Sequence, residues 1–131
     1  MSIQAGLRAA LLAEATVTAI TSNVFVTSIP QDKGLPAIVL IKTNENPNNH
    51  LGGAGDMRTA DFDIECRATT PGGAIDLGDA VTAAFEDYTG AMGDHTCKAS
   101  YYLDSEDDHE DLGDGSQGQY ITTLYFQFQY T

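Results

Sequence analysis

The most conspicuous residues with a bearing on chemistry are acidic: Asp104, Glu106, Asp107, Asp108, Glu110, Asp111 and Asp114 crowd around His109. Clustered carboxylates are the ligands hard cations take, so a Ca²⁺ or Mg²⁺ site is the first chemistry to weigh. The spacing argues against it. An EF-hand register begun at Asp104 puts His109 where the tight turn needs Gly, Leu112 at a ligand position and Gly115 where the bidentate Glu belongs. A solvated loop that repels its own charges accounts for the same residues. A third reading has the loop ordering against a basic neighbour in an assembly.

Three other groups meet similar objections. His95 and Cys97 stand two apart and share a face if the segment is a strand, which is how a metal pair or a thiol with its base begins. No second pair of ligands follows, and the only other histidines are His50 and His109. A core cysteine beside a strand-end histidine is the simpler account. Leu51-Gly-Gly-Ala-Gly-Asp56 has the glycines of a phosphate-cradling loop but neither the G-x-x-x-x-G-K-S/T spacing nor a helix behind it, so it reads as a hairpin tip. Asp61, Asp63 and Glu65 line the wet face of one strand. General acid and base work needs a carboxyl raised by burial, which an exposed sheet face does not supply. The row therefore reads as a solvated face or the wall of a channel. No catalytic residue, metal or cofactor is expected.

The elements that position these residues follow from periodicity. In Arg58 to Ala68, Ala60, Phe62, Ile64, Cys66 and Ala68 alternate with Thr59, Asp61, Asp63, Glu65 and Arg67, the period of a strand with one face buried. Pro71-Gly72-Gly73 breaks the pattern, and Leu77, Val81, Ala84, Phe85 and Tyr88 then recur at helical spacing over the strand's apolar face. Upstream, Ser2 caps a helix whose Ile3, Leu7, Ala10 and Leu11 share a face, ending near Ala13 to Ala15. Thr16 to Ile20 is a helical turn or a connector, Val24 to Thr27 a short strand, and Ala37 to Ile41 a central strand. Asn44 to Asp56, with Asn46, Asn49, His50 and Leu51, is too polar for a core and reads as a long mobile connection.

After the second helix, Cys97, Ala99, Tyr101 and Leu103 alternate as the apolar side of another strand, residues 104–118 read as a loop, and Tyr120 to Tyr130 form an aromatic closing strand. The fold class is α+β: one domain over residues 1–131, a mostly antiparallel sheet of four to five strands, two helices on one face, in the order α-β-β-β-α-β-β.

At 131 residues and a net charge of -13, the chain has one domain's length and only six Lys and Arg. That is too few cations for a surface that grips phosphates, so specific nucleic-acid binding is excluded. The two cysteines, Cys66 and Cys97, read as buried free thiols. Neither a signal-peptide pattern nor a membrane-spanning run is present, so synthesis in a reducing cytoplasm is expected.

The series resembles the tail terminator, or tail completion, proteins of long-tailed bacteriophages and gene transfer particles. The resemblance lies in the N-terminal helix (Leu7, Ala10, Leu11), Val24-Phe25-Val26 running into Ile29-Pro30-Gln31, and Leu35-Pro36-Ala37-Ile38-Val39. It continues through Phe62 to Cys66, the helix Ala80 to Phe85, and Leu124-Tyr125-Phe126. It implies a virion structural protein without enzymatic activity: a homo-oligomeric ring of six copies that caps the tail tube protein, stops tube growth and joins the head-tail connector, with DNA passing through the lumen. Neighbouring neck or minor tail proteins, such as a head completion or stopper protein, share size and acidity; a cation-binding domain is the alternative from another class. The segments 44–56 and 104–118 are expected to reach neighbouring subunits or rings, and Asp61, Asp63 and Glu65 to face the lumen or an interface.

Overall fold

The computed structural model describes residues 2–28, 34–50, 53–110 and 118–131, with side chains for all of these except 48–50 and 53–56. Helix α1 (Ile3–Leu12) starts where the Ser2 hydroxyl accepts the Ala5 N–H at 3.1 Å, and it buries Ile3, Leu7, Ala10 and Leu11. A four-residue helix, α2 (Ala15–Thr18), follows and buries Val17. Strands β1 (Val24–Val26), β2 (Ala37–His50) and β3 (Gly53–Ala68) lead to helix α3 (Pro71–Phe85). Strands β4 (Gly90–Met92), β5 (His95–Glu110) and β6 (Gln119–Tyr130) complete one sheet in the order β1-β2-β3-β6-β5-β4.

The α+β class, the mostly antiparallel sheet, with β1 alone running parallel to its neighbour β2, and the helix-covered face agree with the sequence-based expectation; the details depart from it in three places. The sheet has six strands, because Gly90–Met92 adds a short β4 that pairs with His95–Cys97. Pro71, Gly72 and Gly73 do not precede α3 but form its first turn, capped by the Thr70 hydroxyl on the Gly73 N–H at 3.0 Å; proline is pre-set for that turn. The third departure is the largest. Residues 44–50 and 53–56 are strand, continuing β2 and β3 into one long ribbon, and residues 104–110 are the second half of β5. Leu51 and residues 111–117, Asp111 and Asp114 among them, lie outside the described residues.

Packing follows the alternation. Ile38 and Leu40 on β2, Ala60, Phe62, Ile64 and Cys66 on β3, and Leu124, Phe126 and Phe128 on β6 form one buried layer under α1 and α3. The Phe128 ring packs edge-on to Phe62 (centroids 6.0 Å apart) and Phe85 of α3 (6.3 Å) and stacks with Phe126 (5.6 Å). Such pairs add to the burial of each ring. Helix α1 lies between the sheet's two outer strands: the Arg8 Nε donates to the Val24 carbonyl of β1 at 2.8 Å, while Gly6 packs on the Met92 backbone of β4.

That last contact generates a test. A Cβ at Gly6 runs into the Met92 backbone carbonyl, which cannot swing away as a side-chain end would. Gly6→Ala is expected to lower unfolding stability by about 2–3 kcal/mol. Gly72→Ala, in the first turn of α3 with open space around it, is expected to raise stability by about 0.5 kcal/mol. Urea melts of the two variants check both signs; equal stability of Gly6→Ala and the native chain would show that α1 does not seat on β4.

Candidate assembly surface

The helices cover one face of the sheet, and among the described residues no helix packs on the other. Ladder register decides what stands on the open face. On β3 it carries Asp61, Asp63 and Glu65, opposite Gln127, Tyr125 and Thr123 of β6, which in turn pair with Tyr101, Asp104 and Glu106 of β5. Asp108 and Glu110 continue the row opposite Ile121 and Gln119. Two acidic groups far apart in sequence therefore stand two strands apart on one surface, ~10 Å across. That is about one Debye length at physiological salt, so the rows feel each other.

The local chemistry shows it. Burial, then the charges of Glu65, Glu106 and Asp61, raises the Asp63 carboxyl above its ordinary range. The Tyr125 hydroxyl donates to Glu106, which holds the phenol up at about 12, with the charges of Asp63 and Asp104 adding to the effect. Asp61 accepts from the Gln127 amide at 3.1 Å. Arg67 is the cation that β3 presents on this face, and it is fully engaged: Nη2 and Nε donate to Glu65 at 2.7 and 3.0 Å, and Nη1 donates to Gln119 at 2.8 Å and Glu110 at 3.3 Å. It clasps β3, β6 and β5 together.

The second half of β5 is also a rim. Strand β4 pairs only with residues 95–97, so from Lys98 to Glu110 β5 has β6 on one side and no partner strand among the described residues on the other. Register shifts at Lys98 and Leu103 reset which residues face the helices. Ser100, rather than Tyr101, turns inward, where its hydroxyl donates to the Phe85 carbonyl and accepts the Tyr88 N–H at 2.8 Å. It thereby satisfies backbone groups at the end of α3. Tyr101 and Leu103, expected on the apolar side, are 45% and 57% exposed instead. Glu106, Asp107, Asp108, His109 and Glu110 are exposed along this rim; Asp107 accepts from Thr122 at 2.8 Å and His109 packs against Tyr120 at a tilt of 34°, with ring centroids 4.6 Å apart.

The remaining candidates separate. His95 packs edge-on to Tyr130, its Nδ1 3.3 Å from the Thr131 carbonyl, while the Cys97 thiol points to the Tyr88 and Ala99 carbonyls. Burial pushes the Cys66 thiol up to about 12 and raises Cys97 as well, so neither offers a thiolate at neutral pH. Among the described residues no group of His, Cys, Asp and Glu is arranged to hold a metal ion. Asn46, Asn49 and His50 pair with Thr59, Ala54 and Gly53 in the β2–β3 ribbon, and Asp56 lies in the same ribbon, so a strand rather than a helix N-terminus follows the glycines. Sequence reasoning missed Glu45, whose carboxylate accepts from Lys42 and from the buried Tyr130 hydroxyl; Lys42 and Tyr130 hold it below the usual carboxylate range. The 42/45 spacing was the available signal.

The family described as Tail completion protein gp17 matches residues 5–120. The chain belongs to that family. It is therefore a structural protein of the virion tail. A chain from the virion of a native gene transfer agent particle shares the fold with a TM-score of 0.71 at 16% sequence identity, over 97% of this chain and 92% of that one. Comparison with curated proteins gave no match.

The acidic face yields a signed prediction. Because the folded Asp63 pKa lies above its unfolded value, the carboxyl favours folding only while protonated, and that contribution is lost as pH rises through the folded pKa. Asp63→Asn should therefore stabilise the fold at pH 7, by about 0.5–1 kcal/mol, and the gain should fade as the pH drops below about 4. Thermal melts at the two pH values measure it; a loss of stability at pH 7 contradicts the repulsion.

Proposed function

We propose that this chain is a tail terminator: a closed ring, six copies in the simplest case, that sits on the last ring of the tail tube, stops tube polymerisation and joins the tail to the head connector. The observation that carries the proposal is the family match over residues 5–120, and the charge distribution supports it. A ring at the head-tail junction passes DNA without holding it, and a wall of carboxylates repels phosphates. The open face with Asp61, Asp63, Glu65, Asp104 and Glu106 is such a wall. The uncovered ends of the sheet suit the two axial contacts. The His50/Gly53 ends of β2 and β3 and the Glu110/Gln119 ends of β5 and β6 lie at opposite ends of the sheet, because β6 runs antiparallel to both β3 and β5. One end of the sheet then meets the tube and the other the connector, which is the two-faced geometry a cap requires.

Particles assembled without this chain test the proposal. The expected products are tubes of uncontrolled length and DNA-filled heads that carry no tail, both corrected when the chain is supplied. Tails of normal length joined to heads in its absence would sink the assignment. In a second arm, replacing Asp63 and Glu106 together by Lys should leave rings intact and slow DNA ejection, measured as release of DNA per unit time.

A further inference from the structure

A chain of net charge -13 that joins copies of itself has to do so where its surface is least charged, since like charges brought together oppose association. Apart from Ile75 on α3, 43% exposed, the exposed large apolar side chains of the described surface fall in two groups on opposite rims of the sheet. On the β5 rim, Tyr101 and Leu103 are 45% and 57% exposed at the register shift; beyond the other rim, Val26 of β1 and Ile20 are 39% and 38% exposed. The two patches differ in residues and do not overlap, which is what a head-to-tail contact needs; a two-fold contact would use one patch twice.

Charge orients the pairing. Arg8, exposed and anchored to the Val24 carbonyl, places a cation beside the β1 patch, on the side of the sheet the helices occupy. Asp107, exposed and oriented by Thr122, places a carboxylate beside the β5 patch on that same side, since its partner Thr122 aligns with the inward-facing Cys66. We propose that the β1 rim of one copy docks on the β5 rim of the next, Val26 against Leu103 and Arg8 against Asp107. Repetition of this contact builds the ring. The idea rests on the ring reading above and names the subunit interface for it. Acidic residues along β5 then act in two ways: they keep the open rim from pairing indiscriminately, as charged edges do, and Asp107 selects the rim that carries Arg8.

The test uses the full chain incorporated into particles. Val26→Cys and Leu103→Cys are introduced singly and together and treated with a short bismaleimide; the native Cys66 and Cys97 are buried and serve as the unreacted background. The double variant should give a ladder of covalent multimers ending at the closed ring, and neither single variant should give more than monomer. Arg8→Glu should reduce incorporation about tenfold and Asp107→Lys in that background should restore it. Rings visible at the tail end without a ladder and without charge rescue overturn this interface while leaving the terminator assignment standing. A dimer from either single variant overturns the head-to-tail order. Absence of the chain from particles overturns both.

Discussion

The Phe128 ring, held between Phe62 on β3, Phe126 beside it and Phe85 of α3, fixes which face of the sheet is buried. Once α3 seats there, Ala60, Ile64 and Cys66 of β3 and Leu124 of β6, which stand at even spacing from Phe62 and Phe126, point to the core, and the residues between them point the other way. Among the described residues helices cover one face only. On the second face Asp61, Asp63 and Glu65 stand between Val39 and Ile41 of β2 and Thr123, Tyr125 and Gln127 of β6, so its centre is suited to water and its β2 side is more apolar.

A sheet that is buried on one side and ends in open strands is a part rather than a finished object. Residues 43–47 of β2, 57–59 of β3 and the second half of β5 have no buried side chains, so their stability comes mainly from ladder hydrogen bonds, each worth only about 1 kcal/mol net. Such segments hold their shape by attachment to the body and leave their surfaces free for neighbours. Crowding Asp61, Asp63 and Glu65 near Asp104 and Glu106 costs some stability, a cost that the proposed channel wall would account for.

The halves of the fold differed in legibility for a physical reason. Arg58 to Ala68 and Tyr120 to Tyr130 alternate strictly because each has one dry and one wet face, and Leu77, Val81 and Phe85 recur at helical spacing because α3 lies on that dry face. Residues 44–47 and 104–110 are strand too, yet neither run buries a side chain, so no periodicity marks them and only the partner strand reveals them. Strand β5 was misread in phase: extra residues at Lys98 and Leu103 shift the register, a backbone event with no side-chain signature, and Ser100 rather than Tyr101 meets the end of α3. The acidic residues were individually evident; that Asp63 and Glu106 share a surface depended on β6 lying between them, which is topology and not pattern.

In the proposed ring the helix-free, acidic face of this sheet turns toward the axis at the end of the tail tube, with α1 and α3 on the outside. A reconstruction of the head-proximal tail end by electron cryomicroscopy tests it most directly. It should show a closed ring of this chain with Asp63, Glu65 and Glu106 bordering the channel. Helices bordering the channel, or a position of the chain away from the tube's end, would contradict it.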